Sequence, residues 1–374
     1  MHVGLNLVFL VPGETGGTEV AARELIPALR RAAPELRLTA FVGREAAAAG
    51  NAPWGELIPS VTVPVRASRR VEWVRGEQQF LPRLAARAGV DVLHSLASTA
   101  PGWGPFRRVV TVHDLIHRVH PEAHAGVLTF GMRLLVRLAV TRSDRVIAIS
   151  RSTREDLVRM LGVPPGKIDV VPQGVGRTGA VEALDEASVR ARLDLGSRPF
   201  VLSVSAKRPH KNLARLLEAL ALVPAGRRPV LVLPGYPTWH EAELRERAVA
   251  LGVAGDVRFE GWVDEQLLEG LYAAARCFVF PSLYEGFGLP VLEAMRRGLA
   301  VACSDRSSLP EVAGDAALLF DPESPRAIAD ALERLLVDDD LVARLAAAGP
   351  FQAARFSWEA TARGVLGSYR RAAA

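Results

Sequence analysis

The chain has 374 residues, of which 49% are hydrophobic and 23% charged, a composition close to that of soluble globular proteins and sufficient for two domains. Its only cysteines, Cys277 and Cys303, form neither a disulfide framework nor a CxxC zinc pattern, and no window reaches the roughly 18 consecutive apolar residues of a membrane span. The net charge of +5 is concentrated in residues 1–175, with 22 lysines and arginines against 15 acids, but no nucleic-acid-binding motif accompanies it, so nucleic acid is not an expected partner.

Short apolar runs alternate with helical patterns along the first half of the chain. The stretch Val3–Val11 has no positively charged segment before it and predicts a buried strand over Val3–Leu10 rather than a signal peptide, so we expect a cytoplasmic protein. Further strands are predicted at Leu38–Phe41, Val90–His94, Val109–Val112 and Val146–Ile149, and helices at Glu19–Arg31 and Phe80–Ala88. The alternation predicts an α/β domain with a parallel sheet.

The same alternation restarts after Pro199. It predicts strands at Phe200–Ser205, Val230–Leu233, Val257–Phe259, Cys277–Phe280, Ala300–Cys303 and Ala317–Phe320, and helices at Leu213–Leu222 and Ile328–Val337. Between the two halves, Pro172, Gly174, Gly176 and Gly179 favour a hinge. We therefore predict two doubly wound domains, residues 1–171 and 198–355, joined by a linker at residues 172–197.

Two features of the first half favour a ligand site. The loop Gly13–Glu19 follows the first strand and opens a helix, and Gly16 and Gly17 would let backbone amides approach a phosphate. The loop is not GxGxxG, which argues against a nicotinamide cofactor. His113 follows the strand Val109–Val112, so its imidazole is expected at the carboxyl end of that strand, where it can bond a ligand hydroxyl.

A basic loop, Ser205–Asn212, follows the first strand of the second half. Lysine occurs only at Lys167, Lys207 and Lys211 in a chain that otherwise uses arginine, so two lysines in this loop suggest a need for compact point charges, as a diphosphate requires. An exposed basic turn is the alternative.

The most informative segment is Pro281–Met295, which follows the predicted strand Cys277–Phe280. Gly286 and Gly288 permit a tight turn, and Pro290 suits the first turn of a helix whose N-terminal amides favour a phosphate. Glu285 and Glu293 suit hydroxyl groups better than phosphates. A loop charge and a helix-start charge are the plainer interpretation of these two acids.

The string Glu285–Glu293, EGFGLPVLE, resembles the E-x7-E motif of retaining glycosyltransferases of the GT-B fold, glycosyltransferase family 4 of the group 1 type. The resemblance spans essentially the whole chain. It implies two Rossmann-like doubly wound domains facing across a cleft, with a C-terminal helix, residues 356–374, that packs back on the first domain.

The resemblance also implies roles for individual residues. Glu293 would hold the ribose of the donor nucleotide and Glu285 the transferred sugar, while Lys211 and Arg208 would neutralise the leaving diphosphate. The remaining implied contacts are those of Phe287, Gly288 and Leu289 through their amides, Gly16 and Gly17 near phosphate and acceptor, His113 with the donor sugar, and Trp262 near the base. Ser304–Glu311 would close the donor site.

The expected reaction is transfer of a hexose from a nucleotide-diphosphate sugar, with GDP-mannose as first choice, to a glycan, glycolipid or other hydroxyl acceptor. We expect retention of configuration by attack on the same face, with no metal and no cofactor, because the scattered histidines have no cysteines or paired carboxylates at metal-ligand spacing. A sugar-nucleotide epimerase or hydrolase on the same fold and a non-catalytic nucleotide-sugar-binding subunit are the alternatives.

Basic residues also leave a peripheral membrane contact open. Arg133, Arg137 and Arg142 stand among leucines at near-helical spacing, an arrangement that suits either an anionic membrane surface or a buried helix with a solvated arginine edge. Of these two interpretations, we slightly favour the buried helix with a solvated arginine edge.

Overall fold

The computed structural model describes residues 1–50, 54–121, 127–176 and 181–374, without the side chains of residues 127–130. It divides into two compact units: Met1–Gly174 with Phe356–Ala374, and Val175–Arg355. The predicted linker, residues 172–197, is therefore shared between the units, and its residues 177–180 lie outside the described part. Residues 186–192 of that segment form a helix of the second unit, whose N-terminus is capped by the Asp185 side chain.

The first unit contains a parallel sheet in the order β3-β2-β1-β4-β5-β6-β7. The strands are β1 (His2–Leu7), β2 (Arg37–Val42), β3 (Ser60–Thr62), β4 (Val92–Ser95), β5 (Arg107–Val112), β6 (Arg145–Ala148) and β7 (Ile168–Val170). β1 ends before its predicted end because Leu10 N donates to Leu7 O and closes a turn. β3 and β7 were not predicted, since three-residue strands leave almost no periodic pattern.

Eight helices cover this sheet in the part of the chain that the structure describes. They are α1 (Gly17–Ala32), α2 (Arg44–Ala48), α3 (Arg70–Arg75), α4 (Leu81–Arg87), α5 (Ile116–Val119), α6 (Val127–Arg142), α7 (Arg151–Leu161) and, from the end of the chain, α16 (Trp358–Ala373). A π-helical turn, Gly76–Phe80, connects α3 to α4. The core of one face combines α1 and α16 with the buried side of β1.

The second unit repeats the arrangement. Its parallel sheet runs β10-β9-β8-β11-β12-β13. The strands are β8 (Phe200–Leu202), β9 (Val230–Leu233), β10 (Val257–Phe259), β11 (Cys277–Phe280), β12 (Val301–Ser304) and β13 (Ala317–Phe320). The helices are α8 (Glu186–Arg192), α9 (Leu213–Leu222), α10 (His240–Ala250), α11 (Glu265–Ala274), α12 (Leu289–Arg296), α13 (Leu309–Ala313), α14 (Pro325–Val337) and α15 (Asp339–Ala353).

The strand order places a topological switch point in each sheet. The order reverses between β1 and β4 in the first unit and between β8 and β11 in the second, and ligands of doubly wound sheets bind outside the carboxyl ends of the strands at such a point. The predicted architecture of two doubly wound α/β domains is confirmed. The glycine loop after β1 and the loops after β8 and β11 all leave strands next to a switch point.

None of the helices in the described residues has the length and apolar character needed to cross a membrane.

A buried hydrogen-bond chain ties α16 to the first sheet. The Tyr369 hydroxyl lies 2.8 Å from His94 Nδ1, and His94 Nε2 lies 2.8 Å from Thr111 Oγ1. Burial lowers the pKa of His94 to about 3, so the ring is neutral at ordinary pH. At the start of the helix, Gly174 passes so close that a Cβ would lie 2.3 Å from Trp358 N. The end of the chain is thus an integral part of the first unit.

Tyr369→Phe is expected to destabilise the protein by about 1 to 3 kcal/mol, because it leaves a buried His94 nitrogen without its partner. Urea unfolding followed by circular dichroism measures the change. Tyr236→Phe, at a half-exposed ring of the second unit, is the matched control and should be neutral. Equal stability of the two variants would contradict the assigned tie.

Candidate functional site

In the second unit, neighbouring strands bring the basic loop and the glutamate loop together. β8 and β11 are paired in the sheet, so the loops that follow them leave the same edge side by side. Leu283 N donates to His210 O at 2.9 Å. The buried Asn212 side chain donates to Pro281 O at 3.0 Å and to Pro322 O at 2.7 Å. The two loops therefore form one hydrogen-bonded surface.

Lys211 and Glu285, both predicted site residues, form an ion pair at the centre of this surface. Lys211 Nζ lies 2.6 Å from Glu285 Oε1, and the two side chains are only 17% and 13% exposed. The ammonium also lies 5.4 Å from the centre of the Phe280 ring. A pair with so little exposure is less screened by solvent than a surface ion pair, so a ligand group in direct contact with either charge feels that charge more strongly than it would in water.

Lys207, the other lysine of the loop, has a different role from the one its sequence suggests. It is fully buried, and its Nζ donates to the carbonyl oxygens of Gly235 (2.6 Å) and Glu260 (2.5 Å). Burial lowers its pKa to about 8. Lys207 thus ties together the loops after β9 and β10, and the expectation of a surface point charge at this residue is wrong. Arg208 lies between the two lysines and precedes the turn Pro209–Lys211.

The turn before α12 has the backbone of an anion site. Gly288 adopts φ 109°, and a Cβ there would lie 2.6 Å from Leu309 Cδ2, so glycine is required. α12 begins at Leu289, and the residue before it provides no side-chain cap. The helix dipole at this end favours a negatively charged group. The predicted amides of Phe287, Gly288 and Leu289 lie at this terminus.

Two serines that the sequence analysis did not single out hold the turn in place. Ser308 is fully buried, and its single hydroxyl proton is shared between Glu285 O, 2.9 Å from Oγ, and Phe287 O, 2.8 Å from Oγ. Ser307 Oγ accepts from Glu285 N at 3.0 Å, and Ser307 has φ 58°, a left-handed conformation that is rare outside glycine. The only sequence signal was their position within Ser304–Glu311.

Glu293 lies one turn into α12, away from the ion pair's loop. Its Oε2 accepts a hydrogen bond from the Tyr272 hydroxyl at 3.1 Å, and Arg297, bound to Glu269, stacks over the Tyr272 ring at 4.5 Å. Burial raises the pKa of the Glu293 carboxyl, and Arg297 partly opposes this. A half-buried carboxylate with one oxygen engaged has capacity left to accept from hydroxyl groups.

Trp262 lies on the loop after β10 and is 76% exposed. Its ring meets Tyr236, on the loop after β9, edge to face at 5.9 Å. Lys207 joins these same two loops, the one after β9 and the one after β10. The structure thus places an exposed aromatic pair beside the basic loop.

The first unit holds the remaining predicted residues. Gly16 adopts φ 62° at the N-terminus of α1, and a Cβ at Gly16 or Gly17 would meet no atom within 4 Å. The Glu19 carboxylate is held by the protein itself, because it accepts a hydrogen bond from Gly13 N at 2.9 Å and pairs with Arg23. The space around Gly16 and Gly17 at the N-terminus of α1 therefore leaves room for a ligand.

His113 lies at the carboxyl end of β5, as predicted, but both ring nitrogens have partners within the unit. Nε2 lies 2.6 Å from Leu96 O, and since a carbonyl only accepts, Nε2 carries the proton. Nδ1 then accepts from the Gln173 side chain at 3.3 Å. Burial lowers the pKa of His113, so the ring is neutral. A sugar hydroxyl would have to share Nδ1 with Gln173, a residue that the sequence analysis did not select.

No group of three or more metal-ligating side chains occurs among the described residues. What the site offers is a paired lysine and glutamate, an uncapped helix start and a carboxylate for hydroxyl groups.

Two family models match the chain: one described as Glycosyltransferase Family 4 over residues 15–177, and one described as Glycosyl transferases group 1 over residues 186–350. The O-antigen chain mannosyltransferase B of Escherichia coli is 33% identical over 275 residues, 71% of this chain and 70% of that protein. The D-inositol 3-phosphate glycosyltransferase of Frankia alni is 31% identical over 96% of this chain and 95% of that protein. The serotype-specific mannosyltransferase WbdA of Escherichia coli is 34% identical, but the chain spans only 34% of its length.

Solved structures resemble the whole chain. Sucrose-phosphate synthase from Thermosynechococcus elongatus superposes with a TM-score of 0.78 at 24% identity, covering 99% of this chain and 98% of that one. HepE from Anabaena, solved with UDP and glucose, superposes with a TM-score of 0.77 at 18% identity, covering 99% and 100%. These similarities confirm the predicted GT-B fold.

Gly288→Ala is expected to lower the free energy of unfolding by about 1 to 3 kcal/mol and to weaken binding of nucleoside diphosphates, because it strains the turn that presents the α12 amides. Urea unfolding and a thermal-shift titration with GDP and UDP measure the two effects. Gly298→Ala is the control: it also has positive φ, but a Cβ there meets its nearest neighbour at 3.6 Å. Nucleotide shifts as large in Gly288→Ala as in Gly298→Ala would contradict the anion site.

Proposed function

The chain belongs to the group 1 glycosyltransferases, and on that premise we propose that it transfers a hexose from a nucleotide-diphosphate sugar to a hydroxyl acceptor with retention of configuration. The observation that carries the proposal is the Lys211–Glu285 ion pair beside the uncapped start of α12. A cation and helix amides suit a departing diphosphate, and a carboxylate suits a sugar hydroxyl.

In the proposed reaction, the acceptor oxygen forms a bond to the anomeric carbon on the face from which the nucleoside diphosphate leaves. The C–O bond to the diphosphate breaks, and the departing phosphate oxygen takes the acceptor proton. The protein then supplies no base. Lys211, Arg208 and the amides of α12 stabilise the charge that grows on the leaving group, which is where electrostatic stabilisation contributes most.

The other predicted residues bind and orient the donor in this proposal. Glu293 accepts from ribose hydroxyls with the capacity that Tyr272 leaves free. Glu285 meets the transferred sugar, and its bond to Lys211 fixes the carboxylate. Neutral His113 accepts from a donor hydroxyl through Nδ1, and Trp262 lies near the base.

GDP-mannose is the proposed donor, supported by the similarity to a mannosyltransferase at 33% identity. The acceptor is proposed to be a glycan, a glycolipid or another hydroxyl compound. No metal and no cofactor enter the proposed step.

Peripheral membrane contact stays a prediction. α6 buries Val136, Ala139 and Val140 in the core, and among its described side chains only Leu134, 62% exposed, is a largely exposed apolar residue. One apolar side chain gives little insertion into a lipid interface, which supports a solvated arginine edge.

Lys211→Ala is expected to lower kcat about 100- to 1,000-fold, because the lysine opposes charge that grows in the transition state. Glu285→Ala should also act mainly on kcat, whereas Glu293→Ala should raise the donor KM. Lys167→Ala, at a lysine that donates to Thr141 O in the first unit, is the control. Unchanged steady-state kinetics in all three site variants, with folding intact by circular dichroism, would remove the site assignment.

Incubation with GDP-mannose and other nucleotide sugars is expected to release nucleoside diphosphate only when an acceptor is present, and NMR of the product should show a retained anomeric centre. EDTA should leave the rate unchanged. Release of nucleoside diphosphate without acceptor would favour a hydrolase. Conversion of the donor sugar into another sugar would favour an epimerase, and donor binding without turnover would favour a non-catalytic subunit. An inverted centre would contradict retention.

A further inference from the structure

Three neighbouring arginines of the first unit, Arg118, Arg133 and Arg137, have no carboxylate partner among the described residues, whereas several other arginines of the unit do. Arg145 pairs with Asp169, Arg107 with Asp144, and Arg159 with Asp156. In the described part of the chain, neither Arg118 of α5 nor Arg133 and Arg137 of α6 forms an ion pair. No carboxylate of the described residues therefore pairs with these three charges, of which Arg137 is exposed and Arg118 and Arg133 are half-buried.

The three side chains lie close together. Arg133 and Arg137 are one turn apart on the same face of α6. Arg133 Nε contacts His117 O at 3.4 Å, which brings it beside Arg118. The pKa of Arg118 is lowered by its burial and by the charges of Arg133 and Arg137, so the guanidinium groups repel one another. Arg118 Nε is buried and has no hydrogen-bond partner among the described residues.

The position of this arginine cluster, Arg118 with Arg133 and Arg137, fits a ligand site. α5 begins three residues after His113 and follows β5 at its carboxyl end, the edge where doubly wound sheets bind ligands. The unpaired Nε is a donor that the fold buries without using, which is rare in native proteins.

We propose that the arginine cluster binds a phosphate group carried by the acceptor. A guanidinium matches phosphate oxygens with two parallel hydrogen bonds, and three neighbouring guanidinium groups suit a phosphate monoester or diphosphate better than a single carboxylate. The inference rests on the proposed transferase function, since it names the class of acceptor. The donor diphosphate has its own proposed site at Lys211 and α12.

The phosphate could be borne by a lipid or by a free molecule, and binding experiments on the full-length protein distinguish the two. Inorganic phosphate is titrated against the protein saturated with GDP, so that the nucleotide site is filled, and binding is followed by calorimetry at constant ionic strength. We expect saturable binding whose dissociation constant rises about tenfold or more in Arg118→Gln and in Arg133→Gln with Arg137→Gln. Arg142→Gln, an exposed arginine of the same helix, should bind as the wild type does.

Co-sedimentation with vesicles of phosphatidic acid, whose headgroup is a phosphate monoester, and of phosphatidylserine, whose phosphate is a diester, identifies the source. Binding to phosphatidic acid vesicles in preference to phosphatidylserine vesicles, which inorganic phosphate displaces and which the cluster variants lose, supports a lipid-borne phosphate. Phosphate binding with no vesicle binding supports a free phosphorylated acceptor. Vesicle binding that phosphate does not displace and that Arg142→Gln weakens as much as the cluster variants do would overturn the site in favour of a general membrane contact. Phosphate binding that is absent, or equal in all variants, would also overturn it.

These measurements need no turnover. Donor-dependent release of nucleoside diphosphate by the same variants reports the transferase function separately, so a failed phosphate site and a failed transferase are distinguishable.

Discussion

The pairing of β8 with β11 is the constraint on which the candidate site depends. Two strands far apart in the sequence become neighbours, so the loops that follow them must satisfy each other's polar groups at one edge. Asn212 donates to the Pro281 carbonyl oxygen at the start of the second loop, and Lys211 meets Glu285. Removing one partner of such a poorly exposed ion pair leaves a charge without compensation, so each residue requires the other.

Positioning groups outside the pair make the site rigid before a ligand arrives. Ser307 and Ser308 hold the backbone of the glutamate loop, and Lys207 joins the two loops that carry the exposed aromatic pair. Groups fixed in advance need little reorganisation when charge develops in a reaction. The Lys207 side chain thus serves the site through the backbone it binds, whereas Lys211 acts through its charge, which is paired with Glu285.

The sequence allowed the layout of the site to be predicted, but not its internal bonds. Apolar runs indicated the buried strands, and Gly288 marked a turn whose need for glycine is confirmed by the packing of Leu309. The burial of Lys207 was missed because lysine is almost always exposed, and only tertiary packing decides otherwise. The bonds of Asn212 and Ser308, and the engagement of His113 by Gln173, join segments far apart in the chain and leave no local pattern.

The return of α16 to the first unit sets an order on biosynthesis. A ribosome completes every residue of the second unit before it makes Trp358–Ala373, yet these last residues supply part of the core that β1 and α1 began. The nascent first unit therefore keeps an apolar face open while the second unit can already fold, a state that invites aggregation. The unit that is started first is therefore completed only after the second, and its final stability depends on a helix that is made after the second unit.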